Sequence, residues 1–242
     1  MFESFRDGLR AAVIGSTGGI GGAFVRHLEQ DARVASILAT SRSPREGGGK
    51  VCTIVLDTAD EAGIERAAEK AGALDLVIVA TGILSDGDAL RPEKSWRQLD
   101  PQAMSRVLAV NTIGPALIAK HFLGKLAKDE KSVFASLSAR VGSIEDNRLG
   151  GWHAYRASKA ALNQLIRTLS IELRVRNPGA VICGLHPGTV DTALSRPFQN
   201  NVPEERLFTA EKSTARMLAV LDHLGPEQSG GLYAYDGTRI PF

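Results

Sequence analysis

Short runs of β-branched and apolar residues recur along this chain, at 9–14, 34–40, 51–55, 74–79, 132–135, 181–185 and 232–235. Between most of them lie longer segments with helical spacing of their apolar residues, at 20–30, 61–71, 101–128, 153–176 and 210–224. Strands that read as nearly continuous apolar runs are buried on both faces, and strands separated by helices are joined by crossovers. The order therefore predicts an α/β fold: a doubly wound, mostly parallel seven-stranded sheet with helices on both faces. Such a unit can reach roughly 250 residues, so the 242 residues are read as one domain, 1–242. The helix that opens at Pro101 has Asp100 as its cap and proline at its first position. Pro115 falls inside the same helical pattern, where it lacks an N–H and crowds the carbonyl of Asn111; a kink that frees this carbonyl is expected.

The balance of charge narrows the partners. With 29 Lys and Arg against 27 Asp and Glu, the net charge of +2 sets up no field that would draw nucleic acid or an anionic membrane as main partner. Cys52 and Cys183 are too few for a disulfide framework or for the usual zinc ligand set, so no metal is expected and both read as buried small hydrophobes. The apolar stretch at 74–84 is interrupted by Asp75, Thr81 and Gly82 and falls short of the roughly 18 residues of a membrane span. A cytoplasmic protein is the expectation.

Directly after the first strand comes Gly15-Ser16-Thr17-Gly18-Gly19-Ile20-Gly21-Gly22, opening a helix. Glycines let backbone N–H groups approach a pyrophosphate closely, and the helix dipole favours its charge. The spacing is G-x-x-x-G-x-G, and after strand one it predicts a Rossmann-type dinucleotide site. Arg42 follows the second strand, where a carboxylate would repel a 2′-phosphate and an arginine pairs with it; NADP(H) is thus preferred, with NAD(H) as the alternative. Asp57, after the third strand, is read either as an acceptor for the adenine amino group or as a cap of the following turn. The segment His186-Pro187-Gly188-Thr189-Val190-Asp191-Thr192 follows the sixth strand, where exposed backbone and the Thr192 hydroxyl suit a carboxamide.

Tyr155 and Lys159 stand four residues apart on one helix face. An ammonium beside a phenol is expected to pull its pKa down from about 10 and make it a usable acid or base. Ser138 ends a strand run at the sheet edge where open α/β proteins bind ligands, and its hydroxyl suits a substrate carbonyl; Ser136 and Ser143 compete for that role. The stretch 190–208 is read as a substrate loop. Its Phe198, Leu207, Phe208, Arg196 and Arg206 suggest an apolar substrate with a polar or anionic end, and Trp96 and Trp152 flank the cleft in sequence.

These residues, in this order, resemble the short-chain dehydrogenase/reductase superfamily across essentially the whole chain. The resemblance implies that Gly15, Ser16, Gly19, Ile20 and Gly21 bind a cofactor pyrophosphate. It places the family's Asn-Ser-Tyr-Lys tetrad on Asn111, Ser138, Tyr155 and Lys159, with Val110-Asn111-Thr112-Ile113-Gly114-Pro115 similar to the family's V-N-x-x-G-P segment. It adds Arg42, Asp57, Pro187, Gly188, Val190 and Thr192 to the cofactor contacts. The chain differs in carrying Ile14-Gly15 for Thr-Gly and Thr81-Gly82 within the usual Asn-Asn-Ala-Gly segment. A longer loop before Tyr155 resembles the branch of C-factor-like proteins and small carbonyl reductases. The implied activity is hydride transfer between NADP(H) and a small carbonyl or alcohol substrate. Ser138 would hold the substrate oxygen and Tyr155 would carry its proton. Lys159 would tune Tyr155 and bond the nicotinamide ribose, and Asn111 would anchor a water leading to Lys159. A homodimer or homotetramer through the helices of Asn111 and Tyr155 is implied as well. Two other readings stand beside it: a nucleotide-binding regulatory protein with little turnover, and an NAD-linked alcohol dehydrogenase.

Overall fold

The computed structural model describes residues 2–87, 89–200 and 202–242. Strand β1 (Leu9–Ile14) runs into α1 (Gly19–Gln30), then β2 (Val34–Ser41), β3 (Val51–Val55) and α2 (Glu61–Ala71). Strand β4 (Leu76–Val79) leads to α3 (Pro101–Leu108), a π turn at Ala109–Ile113 and α4 (Gly114–Phe122). Then come β5 (Ser132–Leu137), α5 (His153–Arg174), β6 (Ala180–His186), β7 (Thr189–Val190), β8 (Leu207–Phe208), α6 (Ala210–His223), β9 (Leu232–Ala234) and β10 (Arg239–Ile240).

The main sheet has the order β10-β9-β6-β5-β4-β1-β2-β3. Seven of its strands are mutually parallel, as expected. The eighth, β10, lies antiparallel on β9 through only two residue pairs and is too short to show a period in sequence. Strands β7 and β8 form a separate parallel pair.

Alternation along the strands builds two cores. Ala11 and Val13 of β1 face one way and join Phe24, Leu28, Met217, Leu218 and Leu221 of α1 and α6. Ala12 and Ile14 face the other way and join Ile64, Ile118, Phe122, Leu162 and Ile166 of α2, α4 and α5. Both faces are therefore covered by helices, which is why the strand runs are apolar throughout.

Three details differ from the sequence expectations. The helix expected over 101–128 is interrupted: Gly114 N–H bonds to the Ala109 carbonyl five residues back, so Pro115 is accommodated by a π turn just before it. Among the described residues one helical segment not singled out from the sequence, Pro101–Lys125, is long and apolar enough to cross a membrane by length and composition, and in this fold its Val107, Ile118, Ala119 and Phe122 are buried. Cys52 is exposed on β3, whereas Cys183 is buried as expected.

The crossover from β2 to β3 contains no helix. Residues 42–50 turn back beside β3, where Gly48 and Val51 exchange backbone hydrogen bonds and Thr53 Oγ1 donates to the Arg45 carbonyl at 2.6 Å. At the opposite end of the strands, the N-terminal segment lies under α6. Asp222 accepts from the Glu3 and Ser4 amides and from Ser4 Oγ, and Phe2 packs edge-on against Phe5.

Candidate active site

The chain leaves β1 in one direction along the sheet and β4 in the other, so a crevice opens where their carboxyl ends meet. Gly15 turns there at φ +86, and a Cβ on it would sit 2.9 Å from Thr81 Cγ2 and 3.2 Å from the Ala80 carbonyl carbon. A Cβ on Gly21 would fall 2.1 Å from the Gly15 oxygen, so only glycine lets α1 start this close to the strand. Ser16 pins the turn to β2, its amide and hydroxyl both donating to the Thr40 carbonyl at 2.8 and 2.9 Å. Helix α1 begins without a side-chain cap and without an acidic residue in its first turn. Ile20 is half-buried and packs against the core beneath α1 and α6.

Around this turn stand the other residues expected to meet a dinucleotide. Arg42 is exposed immediately after β2. Asp57 is exposed too, and its Oδ1 accepts from the Ala59 amide at 3.0 Å as a cap of the turn, which leaves its Oδ2 uncommitted among the described residues. After β6, Gly188 takes φ +77, and the Pro187 carbonyl accepts from Ser213 Oγ at 2.7 Å. Val190 is buried in the β7 and β8 pair. Thr192 comes against the glycine turn, with its Cγ2 2.7 Å from where a Cβ on Gly19 would be.

A second cluster lies on α5 against the end of β5. Tyr155 and Lys159 are 9% and 3% exposed, and Lys159 Nζ is 5.8 Å from the Tyr155 ring centre. Lys159 Nζ donates to the Leu137 carbonyl at 2.8 Å, which anchors it beside Ser138. Burial pushes the Tyr155 hydroxyl up to about 12 and the Lys159 ammonium down to about 8. This corrects the expectation for Tyr155 in sign: with both groups desolvated, each neutral form is favoured over its charged one.

Asn111 is fully buried in the π turn and clasps the chain beyond β4. Its Oδ1 accepts from the Ile83 amide at 2.8 Å, while Nδ2 donates to the Ile83 carbonyl at 2.9 Å and to Ser158 Oγ at 3.1 Å. Ser158 Oγ in turn donates to the Tyr155 carbonyl at 2.7 Å. A Cβ on Gly82 would lie 3.5 Å from Asn111 Oδ1 and 3.7 Å from Lys159 Nζ, so one glycine faces both.

The three candidate serines separate by their surroundings. Ser143 Oγ accepts from the Asp146 amide at 3.0 Å and serves the loop. Ser136 Oγ is buried mid-strand with no partner among the described residues. Ser138 follows β5 directly and donates from Oγ to Asn163 Oδ1 at 2.7 Å. Sequence reasoning missed Asn163, although its place four residues after Lys159 puts it on the same helix face. It also missed Glu93, a buried carboxylate whose Oε2 accepts from the Ala154 amide at 3.2 Å at the start of α5.

Apolar side chains surround Tyr155: Leu84, Ala139, Val141, Trp152, Leu194 and Phe198. Trp152 meets Tyr155 and Phe198 edge-on, at 6.2 and 5.1 Å between ring centres. The other expected lining residues go elsewhere. Phe208 packs on Tyr235 at 4.7 Å, Leu207 pairs with Thr189, and Trp96 is exposed under Arg97. No cluster of three or more His, Cys, Asp or Glu able to hold a metal occurs among the described residues.

A glycine-rich turn at the switch point of a doubly wound sheet, with a buried Tyr and Lys pair across from it, defines a nucleotide-linked oxidoreductase class. Residues 10–203 match the family described as short chain dehydrogenase, and the chain belongs to that family. Among curated proteins it is 31% identical over 180 residues to 1-hydroxy-2-glutathionyl-2-methyl-3-butene dehydrogenase of Rhodococcus sp. (strain AD45), covering 74% of each chain. It is 36% identical over 144 residues to the C-signal protein of Myxococcus xanthus, covering 60% of this chain and 81% of that one. Among solved structures, NADPH-bound carbonyl reductase from chicken fatty liver superposes with a TM-score of 0.83 at 28% identity, over 98% of this chain and all of that one. The expected family and its carbonyl-reductase-like branch are both met.

Proposed function

We propose that the chain is an NADP(H)-dependent oxidoreductase of small carbonyl and alcohol compounds, with Asn111, Ser138, Tyr155 and Lys159 at the reacting centre. The observation that carries this reading is the burial of Tyr155 and Lys159 side by side, with the Lys159 ammonium held by Leu137 next to Ser138. A glycine cradle that a Cβ would fill, in front of an uncapped helix start, fits a dinucleotide. Gly15, Ser16, Gly19, Ile20 and Gly21 would hold its pyrophosphate and Arg42 its 2′-phosphate. Asp57 would face the adenine, and Pro187, Gly188, Val190 and Thr192 the nicotinamide end. NADPH in the chicken carbonyl reductase supports the choice of cofactor.

When bound, the cofactor supplies or accepts the hydride. Tyr155, kept protonated by burial, gives its phenolic proton to the reacting oxygen in reduction and recovers it in oxidation. Ser138 holds that oxygen, and the apolar residues around Tyr155 exclude water and seat an apolar substrate body. Lys159, charged below about pH 8, favours the phenolate left after proton transfer. The Asn111 carbonyl anchors the water leading to Lys159. Exposed Ile113 and Ile171, on the segments of Asn111 and Tyr155, support assembly of copies through these helices.

Fluorescence titration with NADPH and NADH, followed by aldehydes, ketones and quinones while reduced cofactor is monitored, tests the reading. Tighter NADPH binding with turnover is expected. Tyr155→Phe should lower turnover by about 10²- to 10⁴-fold while keeping NADPH affinity, and Arg42→Asp should shift preference toward NADH. Undiminished turnover in Tyr155→Phe would remove the catalytic assignment, and unchanged selectivity in Arg42→Asp the cofactor assignment. The C-signal likeness favours a second reading, a nucleotide-binding regulatory protein, and binding without turnover across the panel would favour it.

A further inference from the structure

We infer that Asn163 is a positioning residue for the reaction, acting through Ser138; the inference rests on Ser138 holding the substrate oxygen. Asn163 is 2% exposed on α5, one turn beyond Lys159 and two beyond Tyr155. Its Oδ1 lies 2.7 Å from Ser138 Oγ, and its Nδ2 faces the Gly142 carbonyl at 3.4 Å.

These two contacts fix where the serine proton points. A carbonyl oxygen only accepts, so Gly142 requires the NH₂ end of the amide to face it; the flipped amide would set two acceptors against each other. Oδ1 is thereby turned to Ser138, and since Oδ1 carries no hydrogen, the proton in the 2.7 Å contact belongs to the serine. With its proton committed, Ser138 Oγ has lone pairs to offer the reacting oxygen. It accepts from an alcohol O–H, or from the Tyr155 O–H, without disturbing Asn163. To donate to a carbonyl oxygen it must first release Asn163.

The same side chain sets the spacing of the site. Gly142 packs so closely on α5 that a Cβ there would lie 2.7 Å from Lys159 Cβ. Asn163 therefore ties three pieces together: the end of β5 at Ser138, the turn after it, and the helix that carries Tyr155 and Lys159. Of the two contacts Asn163 itself makes, only the one with Ser138 reaches the reacting oxygen.

A double-mutant cycle separates that link from a general structural role. Ser138→Ala, Asn163→Leu and the double variant are compared in kcat for NADP-linked oxidation of the alcohol that corresponds to the best panel substrate, in NADPH affinity and in melting temperature. Asn163→Leu is expected to lower kcat about 10- to 100-fold with NADPH affinity within about twofold of wild type. The double variant should be no slower than Ser138→Ala alone. Losses that multiply in the double variant, or a wild-type kcat in Asn163→Leu, overturn the inference while leaving the proposed role of Ser138 intact. A wild-type kcat in Ser138→Ala overturns that role and the inference with it. If leucine does not pack, Asn163→Ala enters the same cycle with the same criteria.

Discussion

At the scale of single residues, desolvation is what sets the protonation of Tyr155 and Lys159. Burial pushes the phenol up to about 12 and the ammonium down to about 8, so at neutral pH the pair is one neutral acid and one cation. The proton donor is thus present across the working range, and the group that titrates first on the alkaline side is Lys159. Carbonyl reduction should decline as pH rises through about 8, because a neutral amine no longer favours the phenolate left after transfer. Measuring kcat/KM from pH 6 to 10 checks this, and a profile flat to pH 10 contradicts it. The pair itself was legible from spacing four, and Ser138 from its place at a strand end. The sign of the Tyr155 shift was not, because spacing shows that two groups are neighbours and not how dry their surroundings are.

At the scale of elements, the start of α5 is set by a residue sixty positions upstream in the chain. Glu93 receives the Ala154 amide, and its own carbonyl accepts from the Trp152 amide at 2.6 Å. Trp152 is the only non-glycine residue with positive φ among those described, at +51, so this contact helps hold a backbone conformation that costs free energy. Glu93→Ala should destabilise the protein by about 1–2 kcal/mol, the scale of a lost helix cap. It should also change tryptophan fluorescence as the indole leaves Tyr155 and Phe198. Thermal unfolding and emission spectra test both, and an unchanged melting temperature refutes the capping role. No local pattern could have shown Glu93, since its partner is brought to it by tertiary packing. By contrast, the α2 bounds and the cap of α3 at Asp100 follow from nearest neighbours and were legible.

At the scale of the whole molecule, the N-terminal segment is strapped to α6 through Asp222. Burial alone would raise this carboxyl's pKa; hydrogen bonds from Ser4 and from the Glu3 amide, with Lys131 nearby, outweigh that and hold it below the ordinary range. A depressed carboxylate adds stability above its unfolded pKa of about 3.9 and loses it as pH falls through the lower folded value. Asp222→Asn should therefore lower stability at pH 7 by about 1–3 kcal/mol, the scale of buried donors left unpaired. It should also show a shallower loss of stability in acid than the wild type. Denaturant melts at pH 7 and pH 3 check the pair of outcomes, and parallel curves for the two proteins refute the linkage. The parallel sheet and both helical layers followed from the alternation of runs, whereas the strap and β10 rest on contacts between distant parts of the chain. The helix-free crossover after β2 bears on how the molecule meets its own copies. An open strand edge is a template for another chain, and β3 would be such an edge, yet residues 45–48 lie along it and engage Val51 and Thr53. At the far side, a strand of two residues offers too little length to extend. The sheet is closed to growth at both ends, so crowding this protein should favour orderly assembly through its helices over fibrous aggregation through its strands.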